Sequence, residues 1–157
     1  MPPKFEIRKA DGAEDMAIAA DLFREYQTWL DVDLCFQDFE AELVNVAEMY
    51  APPRGVIFIA SVNGDDVGVG ALRPVSDTCC EMKRVYVRES ARGSGIGKTI
   101  IDLLITHGKT SGYASMILDT LPKLKTAQAI YKALGFQEIP AYYKNPLPGV
   151  VYYEKIL

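Results

Sequence analysis

The run Arg92-Gly93-Ser94-Gly95-Ile96-Gly97-Lys98 sets three glycines at alternate positions between two cationic side chains. Immediately beyond it, Ile96, Ile100, Ile101, Leu104 and Ile105 recur at helical intervals, so the glycines stand where a helix starts. The first amides of a helix lack internal acceptors, and the helix dipole adds partial positive charge at that end. Glycines let the backbone approach a ligand closely and adopt positive φ, while Arg92 and Lys98 add full charges beside it. The chemistry this favours is capture of an anion, with a phosphate or pyrophosphate as the natural guest. The same residues would also suit a softened strand-to-helix turn with solvated cations, so the loop has to be weighed with its surroundings.

Two nucleotide motifs fail on spacing. Gly97-Lys98-Thr99 followed by Ile117-Leu118-Asp119 imitates a phosphate-loop pair, but in G-x-x-x-x-G-K-[ST] the first glycine would fall on Arg92. A dinucleotide G-x-G-x-x-G beginning at Gly93 would need glycine where Lys98 stands. The pattern that survives is R-x-x-G-x-G, from Arg92 to Gly97, directly after the strand-like Val85-Tyr86-Val87-Arg88. Here the sequence resembles the GNAT superfamily of N-acetyltransferases, which carry this motif at a strand-to-helix junction. The likeness extends to the run Met82-Lys83-Arg84-Val85-Tyr86-Val87, to Ala127 through Phe136 with its Tyr-x-x-x-Gly-Phe ending, and to the order of elements.

The resemblance implies transfer of an acetyl group from acetyl-CoA to an amine. The pantetheine arm would lie along Val85, Tyr86 and Val87 like an added strand. The pyrophosphate would take amides of Gly93, Ser94, Gly95, Ile96, Gly97 and Lys98, with Arg92 at the same turn. Glu81, eleven positions before Arg92, matches the place of a general base in members that use one; a glutamate on the solvent face of a strand is the competing reading. Tyr131, four residues before Gly135, matches the phenol that protonates the departing thiolate, against the plainer role of a packed aromatic. An asparagine common seven residues before that tyrosine is Leu124 here, which puts one polar contact to pantetheine in doubt. A backbone amide near Val85 to Val87, freed by a bulge, would serve the oxyanion, at a position the sequence does not locate. Two rivals stay open: a catalytically silent acyl-CoA-binding regulatory module, and a nucleotide-dependent phosphotransferase.

The elements that must hold these residues follow from periodicity. Residues 5–9 read as a strand, and Ala13 to Leu30 and Phe36 to Tyr50 as amphipathic helices, the second stopped by Pro52-Pro53. Val56 to Ile59 and Val67 to Leu72 flank Asn63-Gly64, a strong hairpin signal, and Cys79 to Val87 forms the next strand. A helix from Ile96 toward Gly112, a short strand at Met116 to Leu118, a helix from Thr126 to Leu134 and strands at Ile139–Tyr143 and Val150–Ile156 complete the chain. The order β-α-α-β-β-β-α-β-α-β-β predicts an α+β fold, one domain over residues 1–157, with a twisted, mostly antiparallel mixed sheet.

At 157 residues, 49% hydrophobic and 24% charged, the chain is of ordinary single-domain size. Seventeen basic and 21 acidic residues leave a net charge of −4, which offers no footprint for a nucleic-acid backbone and better suits cationic or amine ligands. Cys35, Cys79 and Cys80 make neither an even disulfide set nor a metal pair, and no metal is expected. The amino-terminal Met1-Pro2-Pro3-Lys4-Phe5-Glu6 lacks an apolar leader and no stretch is long enough to span a bilayer, so the expected address is cytoplasmic. His107 sits near a helix end, where the dipole favours a cation, and reads as a structural or solvated residue. Asp119 and Thr120 either line the cleft or make a turn. Recognition of a small-molecule or peptide amine acceptor is expected from Tyr26, Trp29 and the loop Tyr142 to Pro146, and a homodimer is a further expectation from the resemblance.

Overall fold

The computed structural model describes residues 4–31 and 38–157. In chain order its elements are β1 (Phe5–Lys9), α1 (Gly12–Leu30), α2 (Phe39–Val44), α3 (Val46–Met49), β2 (Val56–Val62), β3 (Asp65–Pro74), β4 (Cys79–Val87), α4 (Ile96–Thr110), β5 (Ser115–Thr120), α5 (Lys125–Ala133), β6 (Gln137–Ile139) and β7 (Val151–Ile156). A single 3₁₀ turn, Glu89–Ala91, joins β4 to the glycine loop. The strands form one sheet in the order β1-β2-β3-β4-β5-β7-β6, antiparallel except where β4 meets β5. This is the α+β architecture expected.

Helices cover both faces. On one, Ile96, Ile100 and Leu104 of α4 pack on Val56, Phe58, Leu72 and Met82; on the other, Phe23, Phe39, Val46 and Tyr50 pack on Ile57, Ile59, Val69 and Ala71. That explains why β2 reads as an unbroken apolar run: both faces are buried. The hairpin between β2 and β3 turns on Asn63 (φ 52°) and Gly64 (φ 85°), the two positive φ values a tight hairpin demands. Gly70 has a different reason. A Cβ there would lie 2.4 Å from Ile100 Cγ2, so glycine lets α4 settle on the centre of the sheet.

Two expectations are corrected. The helix expected from Phe36 to Tyr50 is broken at Asn45 (φ −110°, ψ 27°), where the backbone leaves helical geometry although the Asn45 N–H and its side-chain amide both donate to Ala41 O at 3.0 Å; Phe36 itself lies outside the described residues. The strand expected at Ile139–Tyr143 is Gln137–Ile139, because Pro140 has no N–H to continue the ladder, and Tyr142 and Tyr143 therefore belong to a loop. Asp119 and Thr120 lie inside β5, where a turn was the alternative. Cys79 and Cys80 are free thiols on alternate faces, and burial pushes the Cys80 thiol up to about 12. Cys35 lies outside the described residues. Among those residues no helix is long and apolar enough to cross a membrane.

Candidate active site

The site is made where two strands part. β4 and β5 pair only through Cys79 with Ser115, Cys80 with Met116 and Glu81 with Ile117. β4 nevertheless runs on to Val87 and β5 to Thr120, so among the described residues the edge of β4 from Met82 to Val87 has no strand beside it there. Backbone groups on such an edge need partners, and an extended ligand carrying amides can supply them. Between the parted strands lies a small cavity of about 50 Å³, walled by Lys83 and Arg84 from β4 and Asp119 and Thr120 from β5.

Opposite this edge β4 carries a bulge. Val69 pairs with Tyr86 and Ala71 with Lys83, so Arg84 and Val85 together face the single residue Gly70. Arg84 takes φ 61°, a left-handed backbone that costs an L-residue roughly 1–2 kcal/mol. The extra residue shifts the alternation of the strand. Cys80, Met82, Val85 and Val87 all face the core under α4, whereas Glu81, Lys83, Arg84 and Tyr86 turn toward the side of α1 to α3. Arg84 reaches Glu42 of α2 with two parallel bonds, Nε to Oε2 at 3.0 Å and Nη2 to Oε1 at 2.9 Å, and the Tyr50 hydroxyl donates to the same Oε2 at 3.0 Å. Burial alone would raise the Glu42 carboxyl, but the Arg84 guanidinium outweighs it and holds the group below the usual carboxylate range.

A larger cavity of about 770 Å³ opens on that side, with Glu42 and Glu48 from the helices, Arg73 and Lys83 from the sheet, and Tyr142 and Tyr143 from the last loop in its wall. Glu81 lines it at the last paired position of the fork and is 2% exposed. Arg73, its cross-strand neighbour on β3, donates to Oε1 from Nε at 2.8 Å, and the Tyr142 hydroxyl donates to Oε2 at 2.7 Å. Burial raises the Tyr142 phenol, and the Glu81 charge adds to it, so the hydroxyl stays a donor. Across the gap Asp119 accepts from the Tyr143 hydroxyl, and its carboxyl is raised by burial. Lys83 is lowered, first by burial and then by the neighbouring Arg84.

Tyr131 projects from α5 into the core under α4, with ring centroids 5.6 Å from Phe136 and 6.2 Å from Tyr153. Burial raises its phenol above the ordinary value, and no hydrogen bond ties its hydroxyl among the described residues. At the loop, Gly93 and Gly95 take φ 81° and 89°, and a Cβ on either would meet nothing within 4 Å. The first helical bond runs from Thr99 N to Gly95 O at 3.1 Å, which leaves the amides of Ile96, Gly97 and Lys98 without intrahelical acceptors.

A family model described as the acetyltransferase (GNAT) family matches residues 17–136. The chain belongs to the GNAT family. An uncharacterized N-acetyltransferase of Schizosaccharomyces pombe is 37% identical over 153 residues, spanning 96% of this chain and 94% of that protein. The same GNAT fold is seen in an acetyltransferase of Staphylococcus aureus, with a TM-score of 0.80 at 21% identity over 98% of this chain and 99% of that one. It recurs in a Salmonella typhimurium protein solved with its cofactor acetyl-CoA, with a TM-score of 0.71 at 17% identity over 97% and 93%.

The positions that the GNAT resemblance singled out fall into three groups. Val85, Tyr86 and Val87 lie on the unpaired edge, and Gly93 to Lys98 form the open helix start; the Ile96 side chain is buried, so only its amide faces outward. Glu81 and Tyr131 stand on opposite sides of the sheet and are both buried. The two cations are already engaged: Lys98 pairs with Asp102 at 2.9 Å, and Arg92 donates to Val87 O at 3.0 Å while lying 4.3 Å above the Trp29 ring. Trp29 therefore belongs with the loop and with Tyr26 and Tyr86, and the wall of the large cavity is made without it. His107 takes the structural role, without the charge that the helix end favours. Burial lowers its pKa, and Nε2 donates to Pro53 O at 2.9 Å as a neutral ring.

Sequence reasoning missed Arg73, Glu42 and Arg84. Arg73 is found only once the register of β3 and β4 is known. Arg84 left a trace: in Glu81-Met82-Lys83-Arg84-Val85-Tyr86-Val87 the polar–apolar alternation slips by one between Lys83 and Arg84, as a bulge requires.

Proposed function

We propose that this GNAT chain transfers the acetyl group of acetyl-CoA to the amine of a small-molecule or peptide acceptor by direct attack in a ternary complex. The observation that carries the reading is the fork: an unpaired strand edge leads from a bulge to an open helix start, in the order a pantetheine arm and its pyrophosphate need. Acetyl-CoA would supply an activated thioester. The residues present suit it, because Gly93 and Gly95 leave open space over the loop amides and Met82 to Val87 offer backbone partners.

In this reading Val85, Tyr86 and Val87 bind the arm, and the amides from Gly93 to Lys98 hold the diphosphate, with Arg92 beside them. An amide of the bulge polarises the thioester carbonyl. Glu81 takes the proton lost by the amine as the new C–N bond forms and the C–S bond breaks, and the Tyr131 phenol gives a proton to the departing thiolate. The acceptor occupies the cavity lined by Glu81, Glu48 and Tyr142.

The test is thiol release from acetyl-CoA across a panel of amines, run beside CoA titration. Turnover with at least one amine is expected, and Tyr131→Phe should lower kcat at least about tenfold with CoA affinity unchanged. CoA binding with no turnover on any amine would leave a binding module and end the enzyme reading.

A further inference from the structure

The Glu42–Arg84 pair differs from an ordinary surface ion pair. Its side chains are 1% and 5% exposed, its two bonds run in parallel, and Tyr50 supplies a third bond to the same carboxylate. The guanidinium also lies 5.1 Å from the Phe39 ring centroid. Taking two charges out of water costs about as much as their attraction returns, so such a pair is a poor device for stability alone. Its position supplies another reason. Arg84 is the one described residue of β4 with a left-handed backbone, and it sits in the bulge that breaks the register with β3. An L-residue stays in that conformation when its surroundings hold it there, and a bidentate fork fixes both the direction and the reach of the side chain.

We infer that Glu42, Arg84 and Tyr50 are positioning residues, which clamp the β4 bulge so that its amide points at the thioester carbonyl. The inference rests on the acetyl-CoA reading above and deepens it. It also joins the two substrates' sides. Glu42 stands on α2 and lines the large cavity, while its partner stands on the strand that would bind the arm, so the acceptor wall and the acyl-activating amide share one ion pair.

The test reads the carbonyl directly. A hydrogen bond to the thioester oxygen moves the ¹³C resonance of bound [1-¹³C]acetyl-CoA downfield of its free value. In the unaltered protein that shift is expected; Glu42→Gln should return at least about half of it while the Kd for CoA changes by less than about twofold. Tyr50→Phe, which leaves the ion pair in place, should return a smaller part, and Arg84→Lys, which keeps the charge but loses the fork, a larger one. A purely structural pair would lower the unfolding temperature and leave the bound resonance where it was. Should Glu42→Gln fail to fold, Tyr50→Phe decides by the same reading. An unmoved resonance in folded Glu42→Gln, or in Tyr50→Phe when it alone folds, overturns the clamp. Binding of acetyl-CoA by the unaltered protein with an unshifted carbonyl overturns the clamp alone, whereas no binding at all removes the acetyl-CoA reading and the clamp with it.

Discussion

Gly95→Ala separates what the loop contributes to folding from what it contributes to binding. Gly95 caps α4 at φ 89°, ψ 3°, and a Cβ there meets no atom within 4 Å. The methyl therefore enters open space, and its cost to the fold is the left-handed backbone alone, about 1–2 kcal/mol. For a chain of this size that lowers the unfolding temperature by roughly 2–8 °C. Gly64, at the tip of the β2–β3 hairpin, has φ 85° and equally empty surroundings, so Gly64→Ala carries the same backbone cost far from the loop. Only at Gly95 does the methyl stand where a phosphate would close on the amides of Ile96 and Gly97. A hydrogen bond to a charged acceptor contributes about 1.5–3 kcal/mol, so losing one weakens CoA by roughly 10- to 160-fold. Calorimetric unfolding reads the first quantity and isothermal titration with CoA the second. Matching unfolding temperatures with CoA affinity lost only in Gly95→Ala is the expected result. Equal, wild-type affinity in both variants would refute the placement of the diphosphate at this loop.

Gly70→Ala tests the packing of α4 on the sheet opposite the bulge. Its Cβ would lie 2.4 Å from Ile100 Cγ2 and 3.2 Å from Leu104 Cδ1, an overlap that should cost about 1–3 kcal/mol by urea titration. An unchanged midpoint would mean that the helix gives way freely. His107 should make stability depend on pH. Burial depresses its pKa in the folded chain, so the unfolded chain binds the extra proton; the contribution is complete above the ordinary imidazole value of about 6.5 and is lost as pH falls through the lower folded value. Unfolding free energies at neutral and mildly acidic pH should fall more in the unaltered protein than in His107→Gln. Equal losses would return His107 to a solvated role.

How far the molecule could be read beforehand follows from the range over which each signal acts. The glycine loop, the hairpin at Asn63-Gly64 and the helix from Ile96 were legible because φ requirements and periodicity are local. Pro140 announces the end of β6, but the aromatic run Tyr142-Tyr143 beyond it reads as a continuing strand. Asn45 splits one expected helix through a local change of backbone angles that periodicity does not reveal. The bulge needs the register of two strands, and the partnership of Glu42 with Arg84 spans chain positions that no periodicity links. Glu81 is singled out by the GNAT resemblance, yet its partners Arg73 and Tyr142 come from a neighbouring strand and a distant loop.

The charges around the fork bear on how an amine would react there. Glu81 is matched by Arg73 and Glu42 by Arg84, so these two carboxylates present little net field to hold an ammonium. Three further groups are pushed toward neutral forms: Lys83 falls through burial and the nearby Arg84, Asp119 rises through burial, and burial lifts Tyr26 to about 12. An environment that penalises charge of either sign on its own side chains penalises it equally on a ligand, and so favours the free amine, the form able to attack. Under the proposed reading, the base then acts only on the proton that grows acidic as the C–N bond forms. In that reading Glu81 is the group proposed for this late role. Its Oε2 already accepts from Tyr142, a hydroxyl at the cavity wall that can pass a proton inward while taking one from the amine side. Replacing Tyr142 by phenylalanine would then slow proton removal without disturbing the Arg73 pair, and this separates a relay from direct abstraction by Glu81.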